Sequence, residues 1–214
     1  MMSEMNFSRI LILSPHVDDG EFGCGGSIAK LVEEGKEIFH AAFSLAEESV
    51  PSDFPKNALE IEVKKAAKVL GLKEENLFLY KYKVRELDSF RQDILEDLVK
   101  LKKELNPDLI FMPSPNDLHQ DHYTVSREGL RAFKENTILG YELPWNNITF
   151  NTLAFIILNR EHIKKKQEAI KCFKSQSHRY YANEDFVRAW GMTRGVQIGS
   201  EFAETFEVLR WIMR

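Results

Sequence analysis

Two rhythms of apolar and polar positions alternate along this chain. Short apolar runs, ended by proline, glycine or polar clusters, read as buried strands: Arg9–Ser14 (RILILS, stopped by Pro15), Glu37–Ser44, Leu77–Tyr82 and Asp108–Met112 (DLIFM, stopped by Pro113 and Pro115). Between them, apolar side chains recur three and four residues apart, the spacing of one helix face. They predict helices over Gly25–Glu34, closed by Gly35, over Asn57–Leu70, closed by Gly71, and over Phe90–Leu105. Further along, the pattern predicts a helix from about His122 to Lys134 and another over Glu161–Phe173. Strands are expected at Leu139–Glu142, Leu153–Leu158 and near Thr205–Leu209. Strands alternating with helices imply βαβ units joined by right-handed crossovers. The expected fold is therefore α/β: a single-domain, Rossmann-like three-layer arrangement around a mainly parallel sheet. In the doubly wound order 3-2-1-4, strands one and four are neighbours, and ligands bind beyond their C-terminal ends.

Composition narrows the picture. With 214 residues and 43% hydrophobic side chains, the chain can bury a core without disulfide or metal staples. Its 29 Lys+Arg against 33 Asp+Glu leave a net charge of −4, which argues against nucleic acid as a partner. The two cysteines, Cys24 and Cys172, form no CxxC motif and no disulfide framework, which predicts a reducing, cytoplasmic address. The apolar run Ile10–Leu13 is too short for a signal-peptide core. Leu153–Leu158 falls far below the roughly 20 residues that span a bilayer, so no membrane insertion is expected. Any metal must then be held by carboxylates and by some of the six histidines.

The first strand-to-helix loop is rich in glycine (Gly20, Gly23, Gly25, Gly26), as a nucleotide site would be. The spacing fails, because GxGxxG begun at Gly23 needs its last glycine where Ile28 stands, and no GxxxxGK[ST] exists. These glycines are expected to allow a tight turn into the helix. Cys24 heads that helix among small residues and is read as packing.

The histidines carry more. His16 follows the first strand in Ser14-Pro15-His16-Val17-Asp18-Asp19-Gly20-Glu21. His119 and His122 follow the fourth strand in Asn116-Asp117-Leu118-His119-Gln120-Asp121-His122. His16 and Asp19, three apart, can face one side of a turn, and His122 from the other loop completes a three-ligand set with a fourth position for water, the pattern of a catalytic zinc site. Asp18 is then free to act as general base. His119, one turn before His122, can donate a proton from the opposite side, with Asp121 bonding its ring N–H and favouring its cationic state. The inventory fits metal-assisted amide hydrolysis. Plainer readings stand beside it: a lone histidine after a strand is often a satisfied polar residue, and Asp18, Asp19 and Asp121 can be helix N-caps. Two histidines and a carboxylate also suit Fe(II), although an oxygenase has no need of the Asp18–His119 pair.

SPHVDDGE and HQDH resemble the two signature motifs of the LmbE-like (PIG-L) family of zinc-dependent N-deacetylases, with Val17 where the family usually has proline. Glu62…Ala66-Ala67…Leu70-Gly71 resembles the family's second helix, and Arg194-Gly195…Gly199…Ala203-Glu204-Thr205-Phe206 its C-terminal signature. The resemblance implies one LmbE-like domain over residues 1–214, with Zn2+ (or Fe2+ in the same site) on His16, Asp19 and His122. It implies Asp18 as base, His119 as acid, Asp121 behind it, and Glu21 shaping the sugar pocket. The implied substrate is a small-molecule N-acylated amino sugar. Leu59 stands where many members have a sugar-binding arginine, and Asp117 where members acting on thiol-precursor glycosides can have tyrosine. Both departures favour a nucleotide-linked or polysaccharide-precursor sugar. An amidase on larger glycoconjugates and a non-catalytic metal- or sugar-binding module are the alternatives, and homo-oligomerisation is left open.

Substrate contacts are less sharply marked. Arg85, just beyond the third strand, is placed to grip a hydroxyl or phosphate. Arg91 reads equally well as an exposed helix arginine, and Trp145 as a stacking platform or as core. Ser177–Tyr181 is either a cover for the pocket or a loop packed on itself.

Overall fold

The computed structural model describes residues 7–213. Its elements run β1 (Arg9–His16), α1 (Asp19–Glu33), β2 (Glu37–Ser44), α2 (Ala58–Leu70), β3 (Leu77–Leu79), α3 (Arg91–Leu105), β4 (Leu109–Pro113), α4 (Gln120–Ala132), β5 (Thr137–Tyr141), β6 (Ala154–Leu158), α5 (Arg160–Ile170), α6 (Glu184–Val196) and β7 (Phe202–Arg210). They build one seven-stranded sheet of order β3-β2-β1-β4-β5-β7-β6. The first five strands are parallel, and β7 runs antiparallel to both β5 and β6. The expected 3-2-1-4 order is present, which sets the ends of β1 and β4 side by side.

β1 explains why its sequence is a continuous apolar run. Alternate side chains leave a strand on opposite faces, and here both faces are covered by helices. Ile10 and Ile12 join the core shared with Ile28 of α1, Val63 of α2 and Ala169 of α5. Leu11 and Leu13 join the core on the other side, with Ile94 and Leu98 of α3 and Val125 of α4. Helix ends follow local chemistry: α2 stops at Gly71 (φ 87°) and α3 at Asn106 (φ 41°), both left-handed.

Two elements depart from the sequence reading. α1 begins at Asp19, six residues before the expected Gly25, and is kinked at Cys24 (φ −145°, ψ 23°). The glycines of this stretch therefore serve close packing more than a turn. A Cβ on Gly23 would lie 2.3 Å from the Tyr141 ring, and one on Gly26 would lie 2.5 Å from Leu158. After the kink, the Glu204 carboxylate of β7 accepts the Gly26 and Ser27 amides (3.0 and 2.7 Å) and the Ser27 hydroxyl (2.6 Å), capping the second half of the helix from outside. Lys166 completes this buried set at 2.6 Å. The other departure is α6, which the apolar pattern did not suggest. It buries only Val187, Gly191 and Gly195, and is tied to the end of β5 where Trp190 Nε1 and Arg194 Nε donate to Glu142 (2.8 and 3.0 Å).

Among the described residues no helix is long and apolar enough to cross a membrane.

Candidate metal and catalytic site

The loops after β1 and β4 bring the two histidine clusters together. His16 is the last residue of β1, and its backbone N–H donates to Asp19 Oδ2 (2.8 Å), which folds the first turn of α1 back over the strand end. Asp117 shapes the other loop: its Oδ1 accepts the His119 amide (2.8 Å), and His119 then N-caps α4 by accepting the Asp121 amide on Nδ1 (3.2 Å). His122 lies in the first turn of that helix.

Three donor atoms converge as a result. Asp19 Oδ2 lies 3.2 Å from His16 Nδ1 and 3.2 Å from His122 Nε2, and the two nitrogens are themselves 3.2 Å apart. Tetrahedral ligands at about 2.0–2.1 Å from zinc stand about 3.3–3.4 Å from one another, so the triangle has the size a cation needs. Each ring is also held from behind. His16 Nε2 donates to Asp121 Oδ2 (2.9 Å), and His122 Nδ1 donates to Asp117 Oδ2 (2.7 Å). Carboxylate–histidine pairs of this kind fix the ring orientation and sharpen the basicity of the inward nitrogen. Nitrogens of His16, His119 and His122 all lie within 4.8 Å of one another, and this histidine cluster could hold a metal ion. The mutual 3.2 Å spacing makes Asp19, rather than His119, the third member of the tighter set.

The electrostatics agree. Burial disfavours charge on His16 and His122, but Asp19, with Asp121 or Asp117 behind, outweighs it and lifts the two rings to about 9 and about 10. Asp19 is itself held well below the carboxylate range: burial pushes it up, and His122 and His16 pull it further down. A centre that binds two protons this firmly has a strong negative potential, which a divalent cation satisfies as well. Asp18, half-buried beside it, is pushed up to about 6 by burial and by the charge of Asp19.

Two expectations are corrected. Asp121 does not bond the His119 ring with its carboxylate. That group instead accepts from His16 Nε2 and from the amides of Arg85 (2.6 Å) and Leu87 (3.2 Å), while only the Asp121 backbone N–H meets His119. Because His119 Nδ1 is an acceptor, the ring carries its proton on Nε2. Burial and the neighbouring His122 and His16 lower its pKa to about 4, so it rests neutral rather than cationic. Glu21 does not shape the pocket. With α1 starting at Asp19, Glu21 lies about 200° round the helix from it. There it is fully buried 3.7 Å from His40 Nδ1, and desolvation raises its pKa well above the usual range.

A cavity of about 340 Å³ opens beside the triangle, at the small end of the range for sites that take small molecules. Asp18, Asp19, His16, His119 and His122 lie on it, together with Leu59, Arg85, Trp145, Asn146, Gln176, Arg179 and Tyr181. Trp145 therefore faces the cavity, stacked on Tyr181 (ring centroids 3.9 Å apart, planes 8° apart), with the Phe22 ring edge-on to both. Ser177–Tyr181 does form a wall, through Arg179 and Tyr181. Arg91 is elsewhere, paired with Glu128 at 2.9 Å, and Cys24 is buried with its thiol on Gly20 O. Glu62 of the second-helix motif acts at one remove. Its carboxylate accepts the Ser175 amide (3.0 Å) and hydroxyl (2.6 Å), anchoring the loop that carries Gln176 and Arg179. The role of Asp117 was missed by the sequence reading, although a carboxylate two residues before His119 was visible there.

Fold and site together define a Rossmann-like α/β enzyme with a histidine–carboxylate centre at the sheet's switch point. Residues 11–133, more than half of the chain, match the family model described as PIG-L, GlcNAc-PI de-N-acetylase, and the chain belongs to this family of hydrolytic enzymes. It is similar to the uncharacterized deacetylase YaiS of Escherichia coli K12, 28% identical over 172 residues covering 78% of this chain and 90% of that protein. It is also similar to a probable N-acetyl-alpha-D-glucosaminyl L-malate deacetylase 2 of Bacillus anthracis, 25% identical over 80% of this chain and 82% of the relative. Among solved structures, N,N'-diacetylchitobiose deacetylase from Pyrococcus horikoshii shares the fold, with TM-score 0.78 and 22% identity over 95% of this chain and 84% of that one.

Proposed function

We propose that this protein is a zinc-dependent N-deacetylase that removes an acetyl or related acyl group from an amino sugar or from its nucleotide-linked or polysaccharide-precursor form. The observation that carries the proposal is the 3.2 Å triangle of His16, Asp19 and His122, with Asp18 and His119 beside it on one small cavity. The relatives are named as deacetylases, one of them acting on an N-acetylglucosaminyl compound, which supports the same reading.

Within this reading His16, Asp19 and His122 hold the metal. The chemistry a Zn2+ ion would supply there is Lewis acidity, polarising the acyl carbonyl and lowering the pKa of a water to roughly 7; Fe2+ would serve alike. Asp18 takes the proton from the attacking water, and its raised pKa suits it to pass that proton to the departing amine. His119, neutral with hydrogen on Nε2, donates a hydrogen bond to the charge developing on the carbonyl oxygen. This differs from the sequence expectation of a cationic general acid. Asp121 acts through its neighbours, orienting His16 by its carboxylate and His119 by its amide. Arg85 and the Trp145–Tyr181 wall contact the sugar.

The test is metal content together with acetate release from a panel of N-acetylated sugars. Asp18→Ala is expected to keep about one zinc per chain and to lose at least 10²-fold in turnover, the lower end for a general base. Normal turnover in that variant would sink the assignment. Sugar binding without any hydrolysis would favour a non-catalytic module, and the small cavity weighs against an amidase that encloses a larger glycoconjugate.

A further inference from the structure

Two cations face the cavity without an ion-pair partner. Arg9, Arg91, Arg131, Arg160 and Arg194 each pair with a carboxylate. Arg85 and Arg179 make no such pair among the described residues, and both lie on the cavity that holds the metal triangle. Arg179 donates through Nε to Gln176 Oε1 at 3.1 Å and its guanidinium lies 6.0 Å over the Tyr181 ring, with no hydrogen bond from its terminal nitrogens among the described residues.

Arg85 shows more. Its φ of 67° lies in the left-handed region that glycine occupies without strain and a side chain does not. The backbone is fixed there by Asp121, whose Oδ2 takes the Arg85 amide at 2.6 Å and His16 Nε2 at 2.9 Å. Glycine would meet that backbone requirement better than arginine does. A charged side chain held on the cavity with no ion-pair partner for it points to a ligand for the charge.

The lining of the cavity also differs in exposure: Asp19 and His122 are buried and Asp18 half-buried, whereas both arginines are exposed. An anionic substituent is met by the arginines on the exposed side, which leaves the buried side, where the triangle lies, for the other end of the substrate. The net charge of −4 gives no long-range attraction for an anion, so recognition falls to local groups.

We infer that this cavity selects an N-acylated amino sugar bearing an anionic group, a phosphate or a carboxylate, and that Arg85 and Arg179 hold that group on the exposed side while the acyl amide lies at the metal triangle. The placement of the amide rests on the deacetylase reading. The choice of an anionic ligand rests on the arginines alone.

The experiment compares N-acetylglucosamine with its 1-phosphate, its 6-phosphate and its malate glycoside on the zinc-loaded full chain. Acetate release and calorimetric binding are both measured. At least one anionic compound is expected to exceed the neutral sugar by tenfold or more in kcat/KM and in affinity, and its identity separates phosphate from carboxylate. Arg179→Gln and Arg85→Gly are expected to raise KM for that compound about tenfold with a smaller change in kcat, collapsing the anionic-to-neutral ratio towards one. Arg85→Gly relieves the left-handed strain, so its melting temperature should equal or exceed that of the parent, which separates lost binding from lost folding. Equal affinity for neutral and anionic sugars, or variants that leave the ratio intact, overturns the inference. Selective binding of an anionic sugar that is never hydrolysed upholds it while overturning the deacetylase reading. Unselective deacetylation does the reverse.

Discussion

Both ring nitrogens of His16 and of His122 are engaged by carboxylates: Asp19 from the front, Asp121 and Asp117 from behind. The two rear carboxylates differ in what else they do. Asp117 also takes the His119 amide, so it aligns the His122 ring and the start of α4 together. Asp117→Asn keeps the shape but offers an amide in place of one carboxylate oxygen. It is expected to weaken zinc binding about 10- to 100-fold, the usual cost of losing such a support, as read by competition with a chromogenic chelator. An unchanged affinity would show that His122 needs no support. The convergence of His16, Asp18, Asp19, His119 and His122 on one cavity was legible from spacing, because clusters that follow strands one and four meet where the winding of a doubly wound sheet reverses. Which carboxylate backs which ring was not legible. Asp121 and Asp117 lie on either side of His119 in sequence, and only the path of the β3–α3 loop, whose amides claim Asp121, decides between them.

Among the elements, α1 depends most on a distant residue. Its two halves meet at Cys24, and the second half begins with amides that no helix bond can satisfy, so Glu204 accepts them from β7 while neutralising Lys166. Glu204→Ala strands a buried ammonium and two buried N–H groups. The expected loss is about 3–5 kcal/mol in urea unfolding, whereas a loss below 1 kcal/mol would mean that water substitutes for the carboxylate. Strands were the most legible elements, since a run buried on both faces can hardly be anything else. The start of α1 was hidden because Gly20, Gly23, Gly25 and Gly26 read as a loop, when Gly20, Gly23 and Gly26 are where the helix meets strand and ring and Gly25 is where it meets Lys166 of α5. α6 was hidden because it leaves most of its face exposed and is held by polar bonds to Glu142.

At the scale of the whole molecule, the site clasps the ends of β1 and β4 to each other, so a bound cation should stabilise the entire fold. A metal held at about 100-fold over its Kd contributes about 2.7 kcal/mol, or roughly 5–10 °C in melting temperature for a chain of this length. Chelation is expected to lower the Tm by that amount and added zinc to restore it, with Asp19→Asn insensitive to both. An equal response in that variant would place the metal elsewhere.

The cavity draws its histidine–carboxylate cluster and its far wall from different stretches of chain. His16, Asp18, Asp19, His119 and His122 all fall within residues 11–133, whereas Trp145, Asn146, Gln176, Arg179 and Tyr181 lie beyond them. Selection can therefore rewrite most of the far wall while the histidine–carboxylate cluster stays untouched. For an engineer the same division marks Trp145, Asn146, Gln176, Arg179 and Tyr181, together with Arg85, as the positions to vary when a new substrate is wanted.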